Sequence, residues 1–360
     1  MATMKKIILG ILTVVFIVAA GCENELGYDG ILKIGFVYQG RASQPGWSRS
    51  HDLARRAVAT ALAGQVETTS VEFVAPKFAE HAMRRLALSG HRLIFATAIA
   101  YQDATARVAA DFPGVRFEQL GGHRRTANVA TYTARFYEAR AVLGLIAGNM
   151  TKTNIIGYVA SIPVPEVVQG IDAFTLALRQ VRPNAVVKVI WIGSFYDRAA
   201  EAQAAEHLVD LGADVLVQHT GSAAVVQVAE RRGVYAFGKS GDMREFGPTA
   251  QLTASLDRWD GYYIARAKAV IEGRWKSQDT WSGIGDGMVE LAPYSSLIPP
   301  SVRQQADDMT HAIAQGTLNP FAGPIIDRDG QERIPQGRVA SDSMLQTLDW
   351  YVPGVEDVWL

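Results

Sequence analysis

From residue 33 onward the chain alternates short, continuously apolar runs with stretches of helical periodicity. The runs Lys33 to Tyr38, Val71 to Val74, Leu93 to Thr97 and Val115 to Leu120 predict strands, and Ser50 to Leu62, Ala79 to Leu88 and Ala104 to Asp111 predict the helices between them. Strands that are apolar throughout, rather than on alternate residues, are those covered on both faces, as in parallel sheets flanked by helices. After a longer helical stretch at Arg135 to Met150 the alternation restarts. Strands are expected at Ile155 to Ala160, Ala185 to Ile192, Val215 to His219 and Val234 to Phe237, with helices at Glu166 to Leu178, Arg198 to Leu211 and Ala223 to Arg232. Two βαβ series predict an α/β protein of two doubly wound lobes, placed at 32–152 and 153–255. The remainder, 256–360, is richer in Gly and Pro and has one clear helix, at Val302 to Gln315. It is expected to return to the first lobe and supply hinge crossings. Small molecules bind such sheets outside the carboxyl ends of their strands, so two lobes offer a cleft between facing ends.

The N-terminus breaks this pattern. Lys5 and Lys6 precede an apolar run from Ile7 to Ala20, too short for the roughly 20 residues of a membrane span and read instead as a signal peptide at 1–21. Ala19, Ala20 and Gly21 stand directly before Cys22, the single cysteine of the chain. That arrangement resembles a lipoprotein processing site, with Cys22 lipidated and 22–31 a tether; Ala19 stands where Leu is more usual. The alternative is an ordinary secretory signal with an incidental cysteine.

Composition narrows the function. Of 360 residues, 48% are hydrophobic, and 35 Lys+Arg nearly balance 36 Asp+Glu, so the chain can bury a large core and lacks the basic excess of a nucleic-acid binder. One cysteine excludes an intrachain disulfide and multi-cysteine metal sites. The segment Gly233 to Ser240 fits the phosphate-loop pattern formally, but its four intervening residues are themselves the predicted strand, so their amides are not free to cradle a phosphate. Gly238-Lys239-Ser240-Gly241-Asp242 has Asp where a nucleophile elbow needs Gly. No histidine pair has metal-ligand spacing, and no cofactor or metal is implied. What remains is a set of aromatic and polar residues at predicted strand ends: Trp47, Tyr101, Asp103, Phe195, Tyr196, His219 and Asp242. Aromatics with a few polar groups suit a planar heterocycle. Asp103 also reads as a helix cap, Glu166 as a first-turn residue favoured by the helix dipole, and Lys239 as a solvated loop residue.

Several segments together resemble the basic membrane protein family, the substrate-binding lipoproteins of ABC importers. They are Gly35-Phe36-Val37-Tyr38 leading to Gly46-Trp47, Arg135-Phe136-Tyr137-Glu138, Gly157-Tyr158-Val159 with Pro163-Val164-Pro165-Glu166-Val167, Gln218-His219-Thr220, and Tyr235-Ala236-Phe237-Gly238. The resemblance implies a type I periplasmic-binding fold with three crossings, a purine ligand, an ABC permease as partner, and an exported location anchored through lipid on Cys22. It also implies that Trp47 and Phe195/Tyr196 sandwich the purine and that Asp103 addresses the base edge. The nucleoside-binding branch has Asp at the position of Ser240 and Lys near that of Asp257, both directed at ribose; this chain has neither there. The Pro-x-Pro-Glu-Val segment is similar to adenine-type base binders, while Ala98 and Ile99 replace the more usual Ser-Phe. The expected function is capture of a purine, the free base favoured. The alternatives are a nucleoside or other small solute bound by the same fold, or a sensor without a transport role; no motif supports an enzyme.

Overall fold

The computed structural model describes residues 30–359, so Cys22 and the 1–21 leader lie outside the described residues. The first part runs β1 (Leu32–Val37), α1 (Trp47–Ala61), β2 (Val66–Val71), α2 (Ala79–Leu88), β3 (Leu93–Ala96), α3 (Gln102–Asp111), β4 (Arg116–Leu120) and β5 (Val129–Ala134). Then come α4 (Phe136–Met150), β6 (Ile155–Ala160), α5 (Pro165–Val181), β7 (Val186–Trp191), α6 (Arg198–Asp210), β8 (Val215–Gln218), α7 (Ala224–Arg232), β9 (Tyr235–Lys239) and β10 (Gln251–Asp257). The chain continues through α8 (Asp260–Ile271), β11 (Asp279–Ser282), β12 (Val289–Leu291) and α9 (Pro300–Ala314). It closes with the β13–β14 hairpin (Ile325–Ile326, Glu332–Ile334), α10 (Asp342–Leu345) and β15 (Val355–Asp357).

Two sheets result. The first has the order β11-β5-β4-β3-β1-β2, the second β12-β10-β9-β8-β6-β7-β15, and every pairing in them is parallel except β10 with β12. In both, the chain order reverses beside the first strand of its lobe, which is where such sheets open a crevice. The inner strands are buried almost from end to end because helices cover both faces; β3, for example, has no exposed residue.

The expected elements are found, with three informative differences. The second strand is Val66–Val71 rather than Val71 to Val74. Its sequence, Val-Glu-Thr-Thr-Ser-Val, is a half-exposed edge strand whose Thr residues suit a pleated surface, whereas Phe73 beyond it sits at φ 56°, outside strand geometry. β5 and β10, both rich in Thr and small residues, carry no long apolar run. The boundary near 152 also moves, because α4 packs along α5 of the second lobe. The first crossing therefore precedes α4, at 134–136. Gly144 makes that packing possible: a Cβ there would run into the carbonyl oxygen of Phe174.

The second crossing joins β10 to α8, which packs on α1 of the first lobe, and the third joins β11 to β12. Glu138 at the start of α4 accepts a hydrogen bond from the Ile284 amide at 2.7 Å, tying the first crossing to the third. The segment after residue 256 is thus shared: β11 extends the first sheet, and β12 and β15 form both edges of the second. Among the described residues no helix is long and apolar enough to cross a membrane.

Candidate functional site

The carboxyl ends of β1, β3, β6, β8, β9 and β10 face one another across the interlobe cleft, and the side chains gathered there come from both lobes. Trp47 opens α1. The residue before it, Gly46, has φ 104°, and a Cβ there would strike the carbonyl oxygen of Gly221 in the opposite lobe, so only glycine lets the two lobes meet at this point. The Trp47 indole donates to Thr97 O at 2.8 Å, which fixes the ring at the end of β3. Around it stand His51, Phe136 and Trp259, all edge-on, with centroids 4.8, 6.1 and 5.8 Å away. Tyr196 donates to Gln44 Oε1 at 2.8 Å, a hydrogen bond between the lobes at the cleft mouth.

From the second lobe comes a charged pair. Lys239, the last residue of β9, places Nζ 3.2 and 3.1 Å from the two carboxylate oxygens of Asp257, the last residue of β10, and 2.8 Å from Ser240 Oγ. Both side chains are buried, and Nζ lies over the Phe136 ring at 4.4 Å and the Trp47 ring at 5.4 Å. Ser240 follows in the left-handed region, at φ 60°, which an L side chain occupies only when its surroundings hold it there. The expectation of a solvated Lys239 is therefore corrected. The strand extends through it, closing off the formal phosphate-loop reading, because β9 pairs with β10 as far as Lys239.

Glu166 stands in the first turn of α5 after Pro165, as the dipole argument anticipates, and faces the same cluster. Burial pushes its carboxyl up to about 7, with Lys239 opposing and Asp257 reinforcing the shift. Its Oε1 lies 3.7 Å from His219 Nε2. Burial, then the positive charges of Arg140 and Lys239, holds the His219 imidazole well below its usual range, so it is neutral at pH 7. His51 is held low by burial and by Lys239, and burial lowers Lys239 itself.

The residues expected from sequence divide in two. Trp47, Tyr196, His219 and Ser240 come to the cleft. Phe195 sits beside it: its carbonyl accepts from the Gly221 amide at 2.9 Å, but its half-buried ring packs on the core of the second lobe. Three are placed elsewhere. Tyr101 is fully buried in the first lobe and donates to Val74 O at 2.5 Å, a core role set by its position just before α3. Asp103 is exposed in the first turn of α3 and pairs with Arg124 at 2.8 Å. Asp242 is exposed and braces its loop, accepting from Gln251 Nε2 at 2.7 Å and the Arg244 amide at 3.0 Å. Residues not expected there are Phe136, Arg140, Asp257 and Glu166. Arg140 had a signal: in Phe136-Tyr-Glu-Ala-Arg-Ala-Val-Leu143 it shares the buried helix face of Phe136 and Leu143, where an unpaired cation is costly. Among the described residues no group of three or more His, Cys, Asp or Glu side chains is placed to hold a metal ion.

Comparison with known proteins locates this architecture. The model of the Bmp family, described as ABC transporter substrate-binding protein PnrA-like, matches residues 31–318. A purine-binding protein of Brucella abortus is 47% identical over 327 residues, covering 91% of this chain and 93% of that protein. A Haloferax volcanii protein provisionally named as a glucose-binding component of an ABC transporter is 32% identical, over 89% of this chain and 79% of its own. Among solved structures, a solute-binding protein of an ABC transporter system from Aeropyrum pernix superposes with a TM-score of 0.68 at 18% identity, covering 83% of this chain and 95% of that one. That likeness carries the fold, two parallel-sheet lobes of the type I periplasmic-binding class.

Proposed function

Since this chain belongs to the Bmp family, the PnrA-like substrate-binding proteins of ABC transporters, we propose that the solute it captures is a purine and that the free base is favoured over the nucleoside. It is a solute-binding protein, not an enzyme, and its partners are a small solute and the transporter's permease. The purine is supported by the name of the Brucella abortus relative and by the aromatic wall that Trp47, Phe136 and Trp259 build at the cleft.

The preference for the base rests on one observation: Lys239 and Asp257 are closed on each other. Nζ meets both carboxylate oxygens and covers the rings of Phe136 and Trp47. A ribose placed here would either break that pair or bury hydroxyls without partners, at about 1–3 kcal/mol for each group left unsatisfied. Capture proceeds by closure of the lobes about the three crossings, the closed form being favoured by contacts that the ligand makes to both. Titrating adenine, hypoxanthine and guanine beside adenosine, inosine and guanosine by calorimetry tests the reading. The bases should bind more tightly than their nucleosides. Any nucleoside binding tenfold tighter than every base would overturn the preference and assign the Lys239–Asp257 pair to ribose.

Proteins of this family are exported, and a lipid on Cys22 would hold this one at the membrane. The charged start, the apolar run and the small residues before a lone cysteine support that reading. Cys22→Ser should move the protein from the membrane fraction to the soluble fraction; full membrane retention of this variant would sink the anchor.

A further inference from the structure

Behind the charged pair lies a group of buried polar side chains without hydrogen-bond partners, a guanidinium among them. Arg140, on the second turn of α4, is 0% exposed, yet Nε, Nη1 and Nη2 have no hydrogen-bond partner among the described residues. The same holds for Tyr158 OH, Ser161 Oγ and His219 Nδ1. Arg140, Tyr158 and His219 converge. A Cβ built on Gly170 would lie 3.3 Å from His219 Nδ1, 3.4 Å from Tyr158 OH and 3.5 Å from Arg140 Cγ. The Arg140 guanidinium carbon is 6.0 Å from the centre of the Tyr158 ring.

A guanidinium carries five N–H donors and accepts nothing, and burying it unpartnered costs far more than burying a neutral amide. Neither carboxylate of the cluster gives it a hydrogen bond. Asp257 is taken by Lys239, and Glu166, the other carboxylate of the cluster, is pushed up to about 7 by burial and so is half protonated at neutral pH. A closed cleft with this imbalance is completed by a ligand that brings acceptors.

We propose that Arg140, with His219 and Tyr158 beside it, is the determinant that selects a 6-oxopurine over a 6-aminopurine. The inference rests on the purine reading above and adds the edge chemistry. In their N9–H tautomers the O6 and N7 of hypoxanthine, xanthine or guanine form an adjacent pair of acceptors that the planar arginine fork meets with two parallel hydrogen bonds, whereas adenine puts its N6 amino group, a donor, at the same corner. This departs from the adenine preference that the Pro-Val-Pro-Glu-Val segment resembles.

Calorimetry on the full mature chain with hypoxanthine, xanthine, guanine and adenine is the test, and the wild-type protein alone decides the first half. At least one 6-oxopurine should bind about 10- to 100-fold more tightly than adenine. Arg140→Met, which keeps the length of the side chain and removes the fork, should erase that ratio by weakening the oxopurine while leaving adenine within about threefold. Adenine equal to or tighter than every oxopurine in the wild type overturns the inference and leaves the purine reading standing. So does an Arg140→Met protein that loses all bases equally, which would make Arg140 a structural residue only. Absence of binding to every purine overturns the purine reading itself, and this assignment with it.

Discussion

Replacing Asp257 by Ala should cost about 3–5 kcal/mol of stability, the range measured when one member of a buried ion pair is removed and the other charge is left without compensation. Lys239 would remain at the end of β9, its ammonium enclosed by Phe136 and Trp47, with only Ser240 Oγ at 2.8 Å to meet its protons. Cation–π contact with two rings offsets part of that loss, at roughly 0.5–2 kcal/mol, but does not replace a carboxylate. The double variant Lys239→Met, Asp257→Leu should recover most of the stability, because apolar side chains of similar volume fill the space without desolvating charge. Urea unfolding of the ligand-free protein measures both. A loss below about 1 kcal/mol for Asp257→Ala would mean that the pair stands in water when the cleft is open.

The second large effect concerns affinity. Trp47→Ala should weaken binding of the preferred purine at least tenfold, since stacking of a base on an aromatic side chain is worth roughly 1–3 kcal/mol in nucleic-acid binders. The ring is held firmly in place. Its indole nitrogen is spent on Thr97 O, and three aromatic neighbours stand around it edge-on, so it enters the complex with little orientation left to lose. Trp47→Phe should lose less than Trp47→Ala, because a ring remains although its anchor does not. Circular dichroism establishes that the fold persists, and calorimetry giving an unchanged affinity for Trp47→Ala would remove this residue from the site.

The lobes were legible in the sequence because parallel strands covered on both faces are apolar nearly from end to end, and here such short runs alternate with longer stretches of helical period. β5 and β10 escaped notice for the converse reason. Each leads into a crossing, and Thr, Gln and Ser residues interrupt any apolar run although nearly every residue of both strands is buried. The site divides along the same physical line. Trp47 and His219 follow strands that were recognised, so their position at the carboxyl ends followed. Asp257 ends a strand that was not recognised. Lys239 was placed on a loop because Gly238 and Gly241 punctuate the sequence around it, although the β9–β10 pairing continues through it. Asp103 and Tyr101 err in the other direction: both come just after a strand end, but a strand end fixes only where the backbone emerges. The helix that follows turns one side chain to solvent and the other into the core.

The sharing of the segment after residue 256 has a consequence for how the molecule comes into being. Both outer strands of the second sheet, β12 and β15, are made after every strand they cover, so the outer edge of β10 waits from residue 257 to 289 for its partner and that of β7 from 191 to 355. Such edges template association with other chains until they are capped. Neither lobe is a finished unit at any earlier point, since β11 of the first sheet is also made late. A polypeptide that cannot complete its second sheet before β15 emerges keeps an open edge until its last residues are made. Weaving late strands into both halves thus makes closure of the two sheets a late event in the making of the chain.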